Sequence, residues 1–268
     1  VRFSNKCDCG VHTPPVGVGI CEIKCDGFLL FTATGYEMDD NSCDQIVVRQ
    51  TRRIGPTRRS VSGIYVFRRE ASIPFESTLE RDFLIRAEFM SDVLAVTAQP
   101  VSIPFIDPQG RSSVYTPDFL VHYRLGNRSY EDYPRPLLVE VKPAKAWRAN
   151  WRAWAGKWKA ARQFAHVQGW QFRIYDESRI RDQTLQNIRF LERYQRMEFA
   201  VEESRWIIDN LQKMGATPFH YLLSRHFMGA YRVNGVAHIW HLLASRKIEC
   251  DMSRPLSDQT ELWVSSYA

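Results

Sequence analysis

Asp118 and Glu140 are the two residues around which this chain can do chemistry. The first stands in Tyr115-Thr116-Pro117-Asp118-Phe119 and the second in Leu137-Leu138-Val139-Glu140-Val141-Lys142-Pro143, a P-D…E-x-K pattern in which each carboxylate borders an apolar β-type run. Two acids at neighbouring strand ends offer the hard oxygens that a divalent cation takes, and Lys142, two residues beyond Glu140, points to the same sheet face. This equipment suits metal-assisted phosphodiester hydrolysis. The plainer alternative is two strand-end acids and a surface lysine, because short matches to the pattern also arise by chance.

The flanking residues favour strands. Phe119-Leu120-Val121 follows the aspartate, Leu137-Leu138-Val139 precedes the glutamate, and Gly126-Asn127-Arg128-Ser129 with Pro134-Arg135-Pro136 are turn formers between them. A β-hairpin with both acids at one end is predicted. Upstream, residues 93–96, 101–105 and 113–115 read as strands divided by Gln99-Pro100 and Asp107-Pro108-Gln109-Gly110, so a meander ending at Asp118 is expected. Residues 61–67 begin another short strand. A helix then opens near Ser77 and runs to about Met90, with Ser77 as N-cap and Glu80 at its third position. A capping box accounts for Glu80 locally without excluding a second role.

After Lys142-Pro143 comes a helix with Trp147, Trp151, Trp154 and Trp158 on one narrow stripe. The stripe is expected to pack on the sheet, with stacking on exposed bases as the alternative. Lys145, Arg148, Arg152 and Lys159 share an adjacent face, the candidate surface for phosphate contacts. With the strand predicted at 170–175, these elements make a mixed α/β core.

A 268-residue chain with 44% hydrophobic content can bury a substantial core. No apolar run approaches the roughly 18 residues of a membrane span, and the chain does not open on the charged-then-apolar pattern of a signal peptide, so a cytoplasmic location without membrane contact is expected. The net charge of +6 is modest, but its distribution is uneven. Residues 49–69, Arg58 and Arg59 among them, hold seven arginines and no acid, and residues 142–162 hold seven basic residues and no acid. Basic runs on both sides of a candidate phosphodiesterase site favour a nucleic-acid surface over merely solvated faces.

Five of the six cysteines lie in the first 45 residues. Cys7, Cys9, His12, Cys21 and Cys25 have unusual spacing for a zinc site, which leaves free thiols in a loose extension as the better reading. From about Asp182 the pattern turns helical. Gly215-Ala216 stops a helix, Thr217-Pro218 is expected to cap the next, residues 233–246 form another, and two strands at 248–252 and 260–264 close the chain. Three helices and a ribbon describe a winged helix, whose third helix would enter a DNA groove, with a protein-docking module as the competitor.

From residue 72 onward the chain resembles the TnsA endonuclease subunit of Tn7-like heteromeric transposases. The likeness rests on Ser77-Thr78-Leu79-Glu80 opening a helix, Gln99-Pro100, Thr116-Pro117-Asp118-Phe119-Leu120-Val121 and Val139-Glu140-Val141-Lys142-Pro143-Ala144, followed by a basic helix, an aromatic strand and a helical C-terminal part. It implies a restriction-endonuclease-like α/β core with an all-α or winged-helix C-terminal domain. The implied boundaries are an extension and basic arm over 1–48, a PD-(D/E)xK nuclease domain over 49–181 and a C-terminal domain over 182–268. It further implies a Mg²⁺-dependent DNA endonuclease, Mn²⁺ being a substitute, that cuts the 5′ strands at transposon ends beside a TnsB-like DDE transposase and a TnsC-like AAA+ ATPase. Glu80, Asp118, Glu140 and Lys142 would be catalytic, and Glu80, Asp118, Glu140 and the Val141 carbonyl would bind metal. Some relatives carry glutamine where this chain has Glu140. The alternatives are a stand-alone restriction or repair nuclease, and a non-catalytic DNA-binding or assembly subunit.

Overall fold

A computed structural model describes residues 22–25, 28–31, 50–51, 61–107, 109–126, 129–227, 229 and 232–264. The chain divides into two compact units, Val1–Arg49 and Gln50–Ala268. In the first, β1 (Glu22–Cys25) and β2 (Phe28–Phe31) form an antiparallel hairpin. Cys7, Cys9, His12 and Cys21 lie outside the described residues, as do Arg58 and Arg59.

The second unit opens with a hairpin of β3 (Gly63–Phe67) and β4 (Ala71–Phe75). The sequence reading missed β4 because the turn uses no glycine: Arg68 and Arg69 both take left-handed backbone angles, φ 50° and 61°. Ser77 then caps α1 (Thr78–Phe89) as expected. Its buried Leu79, Phe83, Leu84 and Ala87 pack on a four-stranded mixed sheet in the order β10-β9-β8-β5. These strands are β5 (Val93–Ala98), β8 (Phe119–Tyr123), β9 (Leu137–Val141) and β10 (Gln171–Tyr175). The predicted β8–β9 hairpin is present, with Phe119 opposite Val139, while β10 runs parallel to β9. Every residue of β9 is buried, as expected for a central strand covered on both faces.

The meander is not formed. β5 pairs with β8, skipping two strands, and β6 (Ile103–Ile106) with β7 (Ser112–Tyr115) makes a separate hairpin. The Gln99 N–H donates to the Asp118 carbonyl at 2.8 Å, closing the β5–β8 ladder, and Gln99 itself sits at φ 46° ahead of Pro100, which has no N–H to continue pairing. The intervening chain is thereby thrown out of the sheet.

Alternation along the strands decides where the site lies. Phe119, Val121, Leu137, Val139 and Val141 join the core beneath α1, where Phe83 stacks on Phe119 at 5.3 Å. Asp118 and Glu140 fall on the opposite face, toward the long helix α2 (Ala144–Val167). That helix buries Trp158, Ala161 and Ala165 and packs against β6. The tryptophan stripe does not pack as a whole: Trp147 and Trp154 are half-buried and Trp151 is 52% exposed. Periodicity sets the face of a residue but not whether a neighbour lies beneath it, and residues 148–153 are exposed on every side of the helix.

Beyond the sheet come α3 (Glu177–Ile180), α4 (Gln183–Gln195), α5 (Val201–Met214), β11 (Thr217–Pro218), α6 (Phe219–His226), α7 (Arg232–Ala244), β12 (Ile248–Cys250) and β13 (Glu261–Val264). Thr217-Pro218 pairs with β13 as a third strand rather than only capping a helix, giving the sheet order β11-β13-β12. A second core forms around Leu191, Ile207, Leu211, Leu222, Ile239 and Leu242. Among the described residues, no helix is long and apolar enough to cross a membrane.

Candidate active site

Asp118 precedes β8 and Glu140 is the fourth residue of β9, so the hairpin register sets them opposite each other. One Asp118 oxygen, Oδ2, accepts the Val141 N–H at 2.7 Å and the Lys142 ammonium at 3.3 Å. That ammonium also donates to the Val141 carbonyl at 3.1 Å and lies 3.4 Å from Glu140 Oε1. Three hard oxygens from Asp118, Glu140 and Val141 therefore converge on one cationic nitrogen. The Lys142 backbone is pinned by its N–H to the Tyr175 carbonyl of β10, at 3.0 Å.

Glu80 approaches from the other face but has a different engagement. Ser77 Oγ accepts the Glu80 N–H at 3.2 Å and donates to Oε1 at 2.9 Å, while the Glu76 N–H donates to Oε2 at 2.7 Å. Ser77 caps the helix and both carboxylate oxygens serve the helix start, with the Glu76 N–H in place of the Ser77 N–H that a full capping box would use. Among the described residues, no three Asp, Glu, His or Cys side chains close into a metal-ligand cluster. The convergent oxygens are two carboxylates and a main-chain carbonyl, with Glu80 drawn back.

Electrostatics favour added positive charge here. Burial raises the Asp118 carboxyl well above the usual range, and the Glu140 and Glu80 charges push the same way against Lys142. Burial likewise raises Glu80. Burial works against the Lys142 ammonium, yet Asp118, Glu140 and Glu80 together hold its pKa above the ordinary lysine value. Acids that resist ionising in a buried cluster, with oxygens already gathered around a cation, match the donor chemistry of a hard divalent ion.

Two further residues touch the site that sequence reasoning did not single out. The Tyr115 hydroxyl donates to Glu140 Oε2 at 2.6 Å, and Lys157 on α2 donates to Glu140 Oε1 at 3.3 Å. The Lys157 ammonium is walled by the rings of Tyr115 and Trp154, both 4.8 Å away, and of Trp158 at 5.8 Å. A lysine flanking a tryptophan stripe was the only available signal. The start of α2 is tied down as well: the Ala144 N–H donates to Glu177 at 2.7 Å and the Trp147 indole to Asp176 at 3.1 Å. From that anchor the helix carries Lys145, Arg148, Arg152 and Lys159, all exposed.

Two family models match the chain: TnsA-like endonuclease N terminal over residues 90–177, and TnsA endonuclease C terminal over residues 179–252. The first match contains Asp118, Glu140, Val141, Lys142 and Lys157, whereas Glu80 lies ahead of it. No curated protein matches.

Proposed function

The chain belongs to the TnsA-like endonuclease family, and from that premise we propose that it hydrolyses DNA phosphodiesters with Mg²⁺ held by Asp118, Glu140 and the Val141 carbonyl, cutting the 5′ strands at the ends of a Tn7-like transposon. The observation that carries this reading is the convergence of those three oxygens on the Lys142 ammonium, at 3.1–3.4 Å. When bound, the divalent ion would supply Lewis-acid polarisation of the scissile phosphate and a more acidic water. Lys142 would orient the attacking water or stabilise charge developing on the phosphate. Glu80 would support the site from its capping position, where its charge already acts on Lys142 and Asp118. The exposed Lys145, Arg148, Arg152 and Lys159 would carry the DNA backbone, with Trp151 beside them as a stacking surface. Mn²⁺ would substitute for Mg²⁺. A TnsB-like transposase would handle the 3′ strands, and a TnsC-like ATPase would license the reaction.

The order α5, β11, α6, α7, β12, β13 supports a winged-helix reading of the C-terminal part. One observation favours docking over groove entry: every described α7 residue from Gly235 to Ala244 is buried or half-buried beneath α4 and α6, leaving only the first turn open. Such a helix would offer a major groove only Arg232, Val233 and Asn234.

The deciding experiment is Asp118→Ala. In a transposition-coupled cleavage assay with the transposase and ATPase present, a folded Asp118→Ala protein should lose 5′-strand cutting by orders of magnitude. Full activity would sink the assignment, and efficient sequence-specific cutting by the wild-type chain alone would favour a stand-alone nuclease.

A further inference from the structure

We infer that Lys157 is an additional active-site residue, whose ammonium competes with the divalent metal for Glu140 and thereby couples metal uptake to DNA binding. The inference rests on the metal assignment just proposed. Glu140 is 1% exposed; its oxygens accept from Tyr115 and Lys157, and the Lys142 ammonium lies 3.4 Å away. On Oε2 the donor is the neutral Tyr115 hydroxyl, which can remain when a metal binds the other oxygen. At Oε1 the Lys157 ammonium donates at 3.3 Å and the Lys142 ammonium forms an ion pair at 3.4 Å. A divalent ion approaching that oxygen to about 2 Å is repelled by both ammoniums.

The metal would take the place of the Lys142 ammonium, since the Asp118 and Val141 oxygens that hold it are the proposed metal ligands. Lys157 reaches Glu140 separately, from α2. Lys157 has Glu140 and three aromatic faces, which attract a cation without fixing it to a point. Its side chain is 18% exposed, so it has an outlet to solvent that Glu140 lacks. It stands on α2 between Arg152 and Lys159, on the helix proposed to meet DNA. A phosphate brought there gives the displaced ammonium a new partner.

Charge balance gives the coupling its sign. With Glu80, Asp118 and Glu140 ionised around a bound divalent ion, Lys142 and Lys157 leave the cluster one net positive charge. A DNA phosphate neutralises it, so metal and DNA assist each other. Without Lys157 the metal alone brings the cluster to neutrality, and the phosphate adds little.

The test is calorimetric titration of Ca²⁺ into the full chain, with and without a short duplex, for wild type, Lys157→Met and Tyr115→Phe. In wild type, DNA should raise Ca²⁺ affinity about tenfold, within the usual range for coupled sites. Lys157→Met should bind Ca²⁺ about tenfold more tightly without DNA and gain almost nothing from adding it. Tyr115→Phe, which removes a neutral donor, should keep the wild-type gain. If Lys157→Met does not fold, Trp154→Leu serves in its place: it opens one wall of the cage and should tighten DNA-free Ca²⁺ binding by roughly two- to fivefold. An unchanged DNA-dependent gain in Lys157→Met, or unchanged affinity in Trp154→Leu, overturns the inference and leaves the metal assignment standing. Absence of Ca²⁺ binding by wild type, with or without DNA, overturns both.

Discussion

Trp151 and Trp158 lie seven residues apart on the same helical stripe, yet replacing each with alanine should have opposite consequences. Trp158 is 9% exposed and packs edge-on against Trp147 and Trp154 at 6.5 and 5.7 Å. Removing a buried tryptophan costs about 3–5 kcal/mol. Part of that is returned, because the Trp158 indole N–H is buried without a hydrogen-bond partner, and losing such a group relieves about 1–3 kcal/mol. A net loss of about 2 kcal/mol remains, which lowers Tm by roughly 4–8 °C in a unit of this size. Trp151 is 52% exposed and touches chiefly its own helix, so Trp151→Ala should cost no more than about 1 kcal/mol. If its ring stacks on a base, affinity for DNA of any sequence should fall by about 1–3 kcal/mol, or roughly 5- to 150-fold. Scanning calorimetry gives the first quantity and fluorescence anisotropy with labelled duplex the second. The reasoning is refuted if Trp151→Ala melts as low as Trp158→Ala while DNA affinity stays unchanged.

Three other outcomes are expected. Replacing both Arg148 and Arg152 with alanine should weaken binding to unrelated sequences by a similar factor and reduce the slope of log K against log salt by about 2, measured by titration across salt concentrations. Burial, helped by His241 and Lys247, depresses His238 to about 4, so the unfolded chain takes up its proton first as pH falls below about 6.5. That part of the stability is present above pH 6.5 and is lost on the way down to 4; between pH 7 and 5 wild type should lose about 2 kcal/mol more than His238→Gln in urea denaturation. At Asp82, fully buried against Arg181 and Arg189 at 2.7 Å each, the arginine double variant Arg181→Ala, Arg189→Ala should cost about 3–5 kcal/mol by stripping a buried charge of its nearest partners. Asp82→Asn should cost less, since both arginines are nearly half exposed and can rehydrate; chemical denaturation showing the reverse order would contradict this.

The hairpin that opposes Asp118 and Glu140 was legible because its signals are local: apolar runs on both strands, turn formers between them, and a strand period that sends Glu140 and Lys142 to one face. The helix start at Ser77 was legible for the same reason. What failed depended on distant partners or on backbone strain. Two consecutive left-handed arginines hid β4, because no glycine or asparagine marked the turn. β5 paired with β8 rather than with its sequence neighbour because Gln99 takes a strained turn held by distant partners, the Asp118 carbonyl and Thr51. Lys157 escaped notice because its partners come from β7, β9 and the preceding turn of α2. The exposure of Trp151 depends on where the sheet beneath α2 ends.

Helix α1 belongs to both hydrophobic cores. Its first turn holds Glu80 beside the acids, two residues on Asp82 grips Arg181 and Arg189, Arg86 pairs with Asp182, and at its far end the carbonyls of Glu88 and Met90 accept from Arg246 and Arg68. Arg189 and Arg246 come from α4 and the turn after α7, so the C-terminal part clasps a rod whose opposite tip is about 12 Å from its last clasp. The gap between the two family matches, at residue 178, is therefore not a seam at which the protein can be cut. A fragment ending there would lose both arginines that hold Asp82, leaving Arg81, 3.8 Å away, to balance it. The two halves should melt as one body, and a load placed on the C-terminal helices would reach Glu80 along a single stiff beam.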